Sequence, residues 1–338
     1  VAYLQVAVIG CGHVAWHRHL PEFASNPRVR LSAVCDADEA NRLAASNKFG
    51  ARAYADWQEL LADPDVQAVS VCLPNHLHAA VTIAALRAGK HVLCEKPMAT
   101  SLAHADEMIA ASQAANRMLT VALQQRFMTV HARAKQKLHS GRLGAALTFA
   151  TSYAHAGPTL AAGDSAPWQL SRERAGFGAI GDLGVHKVDL IRWLLEDEVE
   201  AVAAFVTALE RGGSVDDNAV CALQMRSGAV GTLVASWTHR PGANNNTHIF
   251  CEHGVLRIAP ESEYPLVARY EDGEEERYPA SALSLHDTGR SGVIDEFVDA
   301  IFSEREPSVT AEDGRIALAV ILAAVESAHT RCTVEVRS

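Results

Sequence analysis

The chain has 338 residues, 49% of them apolar and 21% charged, and a net charge of −10. That length holds two domains with cores of their own, and the acidic balance excludes the basic face of a nucleic-acid binder. No apolar run reaches the ~20 residues that cross a bilayer, and "VAYLQVAVIG" leads into a strand with no basic stretch before it, which argues against a signal peptide.

In chain order, the strands of the first third are Leu4–Gly10, Val29–Asp36, Ala68–Leu73, His91–Glu95 and Met118–Leu123. Helical segments lie between them. Asp56 with Glu59 three residues on reads as a capping box, and Gly50 and Gly89 as C-terminal stops. Strands that are apolar throughout and alternate with helices imply a parallel sheet covered on both faces. The fold class is therefore α/β, with a doubly wound first domain over 1–123.

The rhythm then changes. A helix is expected over Met128–Ser140, a strand over Ala145–Tyr153, a Gly/Pro/Ala-rich loop from Ala156 to about Gly178, and a helix over Asp182–Leu195. Several strands joined by short turns follow, with a hairpin turn at Arg226–Gly228. The helices Val293–Ser303 and Ala311–Thr330 and a short "TVEV" strand come last. This describes a second domain over 124–338, α+β with a largely antiparallel open sheet. Of the seven cysteines, most lie in strand-like runs and none forms a CxxC. They read as core thiols of a reducing, cytoplasmic compartment, not as disulfides or a metal site.

Three stretches carry chemistry. "VIGCGHVAWHRHL" sets Gly10, Gly12 and Ala15 in a GxGxxA spacing between strand and helix, the pattern that brings a pyrophosphate to a helix N-terminus. His13 and Val14 lie in the same turn. His13, His17 and His19 are expected on the helix surface. Asp36, at the end of the second strand, is placed to bind the adenosine ribose hydroxyls, and no basic residue precedes Arg42. A 2′-phosphate would meet negative charge there, so NAD is preferred over NADP. Leu73, Pro74 and Asn75 follow a strand at its carboxyl end and should line the cofactor crevice, with His78 in the next helical turn. In "HVLCEKPMAT" the strand stops in Glu95, Lys96 and Pro97. Lys96 can polarise a substrate hydroxyl, and Glu95 can hold the lysine stem or a ribose hydroxyl.

In "GFGAIGDLGVHKVDLIRWLL", Asp182, His186 and Asp189 share one helical face beside an apolar stripe. His186 suits general-base work near neutral pH, and Asp182 can support it. Gly176, Gly178 and Gly181 are expected to let backbone pass close to a ligand. Gln125, Tyr153, His155, Trp168 and Trp237 are further candidates for facing the substrate, and Tyr153 and His155 share a face if their strand continues that far. Gln124 is counted with the cofactor contacts. No residues are assigned to a metal.

With these motifs the whole chain resembles the glucose–fructose oxidoreductase, inositol dehydrogenase and rhizopine catabolism (Gfo/Idh/MocA) family. The resemblance implies that Lys96, Asp182 and His186 are catalytic. It also implies an NAD(P)-dependent dehydrogenase or reductase of sugars, inositols and related polyols, and a homodimer or homotetramer joined through the second domain's open sheet. Relatives that oxidise a glycoside transiently and act as redox-neutral glycosidases are the alternative, as is a non-catalytic dinucleotide sensor. Two positions depart from the family pattern. Phe177 interrupts a run that is often three glycines and is expected to narrow the site, and Gln169 stands after Trp168 where an arginine is common.

Overall fold

The computed structural model describes residues 3–158, 167–260, 262–283 and 290–337. Contacts divide the chain into two compact units: Val1–Leu123 with Arg290–Arg315, and Gln124–Gly289 with Ile316–Ser338.

The first unit is built on six parallel strands: β1 (Leu4–Ile9), β2 (Val29–Cys35), β3 (Arg52–Tyr54), β4 (Ala68–Val71), β5 (His91–Cys94) and β6 (Leu119–Val121). Their order is β3-β2-β1-β4-β5-β6. The direction of progression reverses between β1 and β4, and in such sheets ligands bind beyond the carboxyl ends at that switch point. Every residue of β4 is buried, which is why its sequence reads as a continuous apolar run. A π-helical turn, Ala15–His19, leads into α1 (Leu20–Ser25). Then come α2 (Glu39–Phe49), α3 (Trp57–Leu61), α4 (Asn75–Arg87) and α5 (Leu102–Ala115). α2 starts on the Asp38 side chain, which accepts the Asn41 N–H at 3.0 Å, and stops at Gly50 in the left-handed region. Asp56 caps α3 by accepting from Gln58 N at 2.8 Å.

The second unit begins with α6 (Thr129–Leu138), β7 (Ala146–Ala154) and α7 (Arg172–Ala175). A second π turn, Ile180–Gly184, runs into α8 (Val185–Leu195). Next are β8 (Val199–Thr207), β9 (Asn218–Met225), β10 (Val230–Ser236), β11 (Thr247–Cys251), β12 (Gly254–Ile258), β13 (Leu266–Tyr270) and β14 (Glu275–Tyr278). The chain's last helices are α9 (Val293–Phe302) and α10 (Ala311–Thr330), followed by β15 (Val334–Glu335). The sheet order is β14-β13-β12-β11-β7-β10-β9-β8-β15. Only β7 and β10 pair in parallel among these strands. β9 alternates strictly between buried and outward positions, the mark of a sheet with one face packed and one open. The open face carries Phe205, Val220, Val230 and Phe250. The register sets Phe205 beside Val220, and sets Val230 and Phe250 on either side of Thr148.

The segment 290–315 belongs with the first unit, whereas the sequence suggested one continuous second domain. Its attachment is specific. Glu22 accepts from the backbone and hydroxyl of Ser291, both at 2.8 Å, and Asn26 donates to Asp295 at 2.8 Å. Thr120 donates to the Val309 carbonyl at 2.6 Å. Ile294, Phe297 and Val298 of α9 are fully buried, so removing this segment would strip apolar surface from the unit. Six of the seven cysteines are buried, and Cys332 is exposed.

Candidate functional site

In the first unit, Gly10 closes β1 with φ +94°, and a Cβ there would lie 2.2 Å from the Cys72 carbonyl oxygen. Only glycine permits that approach. A Cβ on Gly12 would meet nothing within 4 Å, so backbone is accessible where a pyrophosphate would approach. Asp36 follows β2, and its two carboxylate oxygens accept from Cys11 N at 2.7 Å and Asp38 N at 2.8 Å. This holds the carboxylate beside the glycine loop with further lone pairs available. Arg42 is folded back, donating to the Asp36 carbonyl at 2.8 Å. His13 is exposed and stacks on His17 with centroids 4.1 Å apart. Gln124, on a 3-10 turn opening the second unit, has a buried Oε1 with no hydrogen-bond partner among the described residues. The open glycine and the held carboxylate of the first unit fit a dinucleotide.

The loops after β4 and β5 are tied together by His78. Its Nδ1 lies 2.9 Å from the Pro97 carbonyl and its Nε2 2.8 Å from the Leu73 carbonyl. Burial holds this ring below the usual histidine range against those two carbonyls, and a neutral ring donates to one carbonyl at a time. Leu73 and Pro74 are half-buried and Asn75 is buried. Glu95 turns inward instead of facing a ribose: Oε1 meets His19 Nε2 at 2.8 Å, and Oε2 accepts the Lys96 N–H at 3.1 Å. His19 is therefore not on the surface. The π turn adds a residue to the helical circuit, and the ring ends up fully buried, with Nδ1 2.7 Å from the Ser70 hydroxyl of β4. Lys96 itself is half-buried.

In the second unit, Asp182 lies on the π turn and His186 one turn on, only 4% exposed. Asp182 Oδ2 accepts from the Trp237 indole at 3.1 Å. Trp237 is buried, so it holds Asp182 from behind. The Tyr153 ring lies 6.0 Å from the His186 ring and 5.9 Å from that of His155. β7 ends at Ala154, yet the two rings meet. His155 Nδ1 accepts the Gly157 N–H at 2.9 Å, which puts the ring proton of the neutral form on Nε2. Gln125 is buried and donates to Asn245 at 3.2 Å, below the surface and not on it. Trp168 is half-buried on a separate 3-10 turn.

The glycines before α8 serve the protein's own packing, contrary to the ligand approach expected of them. A Cβ on Gly178 would lie 1.7 Å from the Asp216 carbonyl oxygen, and one on Gly181 would strike the Phe177 ring. Phe177 is correspondingly buried. Asp216 caps the helix, accepting from Gly178 N at 2.8 Å and Ile180 N at 2.7 Å, and burial raises its carboxyl above the ordinary range despite those bonds. Asp189 points away from the expected acid–histidine face to a bidentate pair with Arg126, both buried. Sequence reading missed Asp216 and the Trp237 contact; the one available hint was two adjacent acids at the start of a strand.

A family model described as "Oxidoreductase family, NAD-binding Rossmann fold" matches residues 4–123, and one described as "GFO/IDH/MocA C-terminal domain" matches 131–257. A 1,5-anhydro-D-fructose reductase of Ensifer adhaerens is 31% identical over 306 residues, 89% of each chain. The chain belongs to the Gfo/Idh/MocA oxidoreductase family. A myo-inositol 2-dehydrogenase of Thermotoga maritima is 29% identical over 338 residues, 98% of each chain. The solved structure of a levoglucosan dehydrogenase in complex with NADH and levoglucosan superposes with a TM-score of 0.88 at 26% identity, over 99% of this chain and 100% of that one. As a Gfo/Idh/MocA oxidoreductase, the chain has an NAD-binding Rossmann fold as its first unit. No helix among the described residues is long and apolar enough to cross a membrane.

Within this Gfo/Idh/MocA Rossmann unit the His19–Glu95 pair makes stability depend on pH. Burial opposes charging of His19, but Cys72 and the Glu95 carboxylate outweigh it and raise the ring to about 10. Burial likewise opposes ionisation of Glu95, but His19, Lys96 and Arg18 hold it down at about 2. His19, raised, contributes fully below its unfolded value of about 6.5 and loses that contribution as pH rises toward 10. Glu95, depressed, contributes fully above about 4.3 and loses it as pH falls toward 2. The difference in Tm between the native chain and a His19→Gln/Glu95→Gln double variant is expected to be largest between about pH 4.5 and 6.5 and to shrink on both sides. A difference that stays constant from about pH 2 to about pH 10 in calorimetry would contradict the charged pair.

Proposed function

We propose that the chain is an NAD-dependent dehydrogenase or reductase that moves a hydride between nicotinamide and a secondary alcohol or ketone of a sugar, an inositol or a related polyol. The observation that carries this reading is the second unit's acid–histidine pair, Asp182 and His186, with Asp182 fixed by Trp237, the Tyr153 ring beside His186 and the His155 ring beside Tyr153. Such a cluster offers a proton acceptor, a fixed carboxylate and ring faces for a polyhydroxylated substrate. The relatives' activities on anhydrofructose, inositol and levoglucosan support the same class.

When bound, the dinucleotide supplies or accepts the hydride. The chain's residues do the rest. Gly10, Gly12 and the helix beyond them receive the pyrophosphate, and Asp36 binds the adenosine ribose. In the oxidative direction His186 takes the hydroxyl proton, and its neutral ring is the form that can do so. Lys96 polarises a substrate hydroxyl and stabilises charge that develops on its oxygen. Asp182 steadies the imidazolium that results. NAD is favoured over NADP because the Asp36 carboxylate repels a 2′-phosphate, while Arg42 is engaged with the carbonyls of Asp36 and Ala37.

The test is absorbance of reduced nicotinamide with inositols, aldoses, sugar acids, anhydrosugars and glycosides, run with NAD and with NADP and in both directions. Turnover of a polyol or sugar with NAD preferred by at least roughly tenfold, ~1.4 kcal/mol, is the expected result. Release of free sugar from a glycoside without net NADH would replace this reading with the redox-neutral one. The chain is further proposed to assemble as a homodimer or homotetramer through the open sheet face bearing Phe205, Val220, Val230 and Phe250, an apolar patch of the kind that marks interfaces. A monomer mass in light scattering would refute that assembly.

A further inference from the structure

Lys96 sits between two buried histidines. His78 binds the carbonyl of Pro97 on one side, and His19 binds the carboxylate that accepts the Lys96 N–H on the other. His19 is the more telling of the two, because it links three elements. It rises from the π turn directly after the glycine loop, touches Ser70 of β4 and pairs with Glu95 at the end of β5. π turns inside helices recur at functional sites, and the other one among the described residues carries Asp182.

The bonding pattern accommodates an imidazolium, since both ring nitrogens face atoms that can accept. Ser70 can accept from Nδ1–H while its own hydroxyl lies 3.6 Å from Cys72 Sγ, and Nε2–H donates to Glu95. A carboxylate 4% exposed would be costly without such a partner.

We infer that His19 is a positioning residue for Lys96, acting through Glu95: it fixes the carboxylate as acceptor for the Lys96 amide and cancels that carboxylate's charge beside the ammonium. This rests on the role proposed for Lys96. The charged and titratable groups facing the pair are Arg18 on the same turn, Cys72 just after β4, Cys94 and Lys96 from β5 and its loop, and His78 from α4. Burial pushes the Cys94 thiol up, out of its ordinary range, and His78 is held low. Arg18 and Lys96 therefore remain as the cations beside the pair.

The experiment measures the pH profile of Lys96 acetylation by acetic anhydride in the full chain, read by peptide mass spectrometry without cofactor or substrate. In His19→Gln the amide can still donate one hydrogen bond, but the charge of Glu95 is left uncancelled. The midpoint is expected to move to higher pH by about one unit, a roughly tenfold slower reaction below it. In Glu95→Gln the negative group nearest Lys96 is gone, and the midpoint is expected to move the opposite way. Opposite shifts separate an electrostatic role from a general loosening, which would move both variants together. Should His19→Gln fail to fold, judged by a cooperative melt, Glu95→Gln alone decides: an unmoved or raised midpoint overturns the inference. Unmoved midpoints in both folded variants overturn it as well. Because acetylation needs no turnover, the result stands even if the substrate panel is silent. An active enzyme with unmoved midpoints would overturn only the role of His19.

Discussion

His186→Ala and Lys96→Ala are each expected to lower kcat by roughly 100- to 10,000-fold, the range that a positioned general acid or base contributes, while the Kd for NAD changes by less than about threefold. The proposed cofactor contacts are Gly10, Gly12 and Asp36, whose geometry is held by Cys72, Cys11 and Asp38 and by neither altered side chain. His186 is buried on a helix capped by Asp216 and braced by Asp182 and Trp237, so its removal leaves the supporting frame in place. Lys96 is anchored by its backbone through Glu95 and Pro97, and truncation of its side chain keeps those bonds. Single-turnover rates with titration calorimetry of NAD separate the two quantities. Equal losses of cofactor affinity and turnover would remove both residues from their assigned chemistry.

Asp189→Ala is expected to cost about 3–5 kcal/mol, because it strands a buried guanidinium. Arg126 is 8% exposed, and its Nε lies 3.1 and 2.9 Å from the two carboxylate oxygens. For a unit of this size the change corresponds to a fall in Tm of roughly 10 °C. Replacing both partners, Arg126→Met with Asp189→Leu, is expected to recover most of the loss, since apolar groups of similar volume carry no desolvation penalty. Calorimetry of the single and double variants decides it. A double variant as unstable as Asp189→Ala would mean that the pair holds α8 by more than mutual neutralisation.

What was legible in the sequence was local. Gly10, Gly12 and Asp36 announce themselves because a strand, a turn and a helix impose residue types at fixed spacings. The parallel sheet was legible because β4 and β5 are apolar almost end to end. β3 went unseen because Arg52–Tyr54 is three residues long and none of them is buried. His19 was assigned to the surface by α-helical periodicity, and a π turn breaks that periodicity within five residues. Trp237 with Asp182, and Asp216 with Gly178, are contacts across 55 and 38 positions, which no repeat in the sequence encodes. Asp189 was set on the right helix and given the wrong neighbour, because its partner Arg126 lies 63 residues away. Its burial is a property of the packed unit, not of the helix.

The return of 290–315 to the first unit has a consequence for synthesis. A ribosome finishes the first six strands early, but the Ser291 contacts to Glu22, the Val309 acceptor for Thr120 and the apolar side of α9 emerge about 190 residues later. At elongation rates of about 5–20 residues per second that delay is roughly 10–40 s. Throughout it the nascent Rossmann sheet has a gap that the chain itself has yet to fill, and that gap is where a chaperone would find apolar surface.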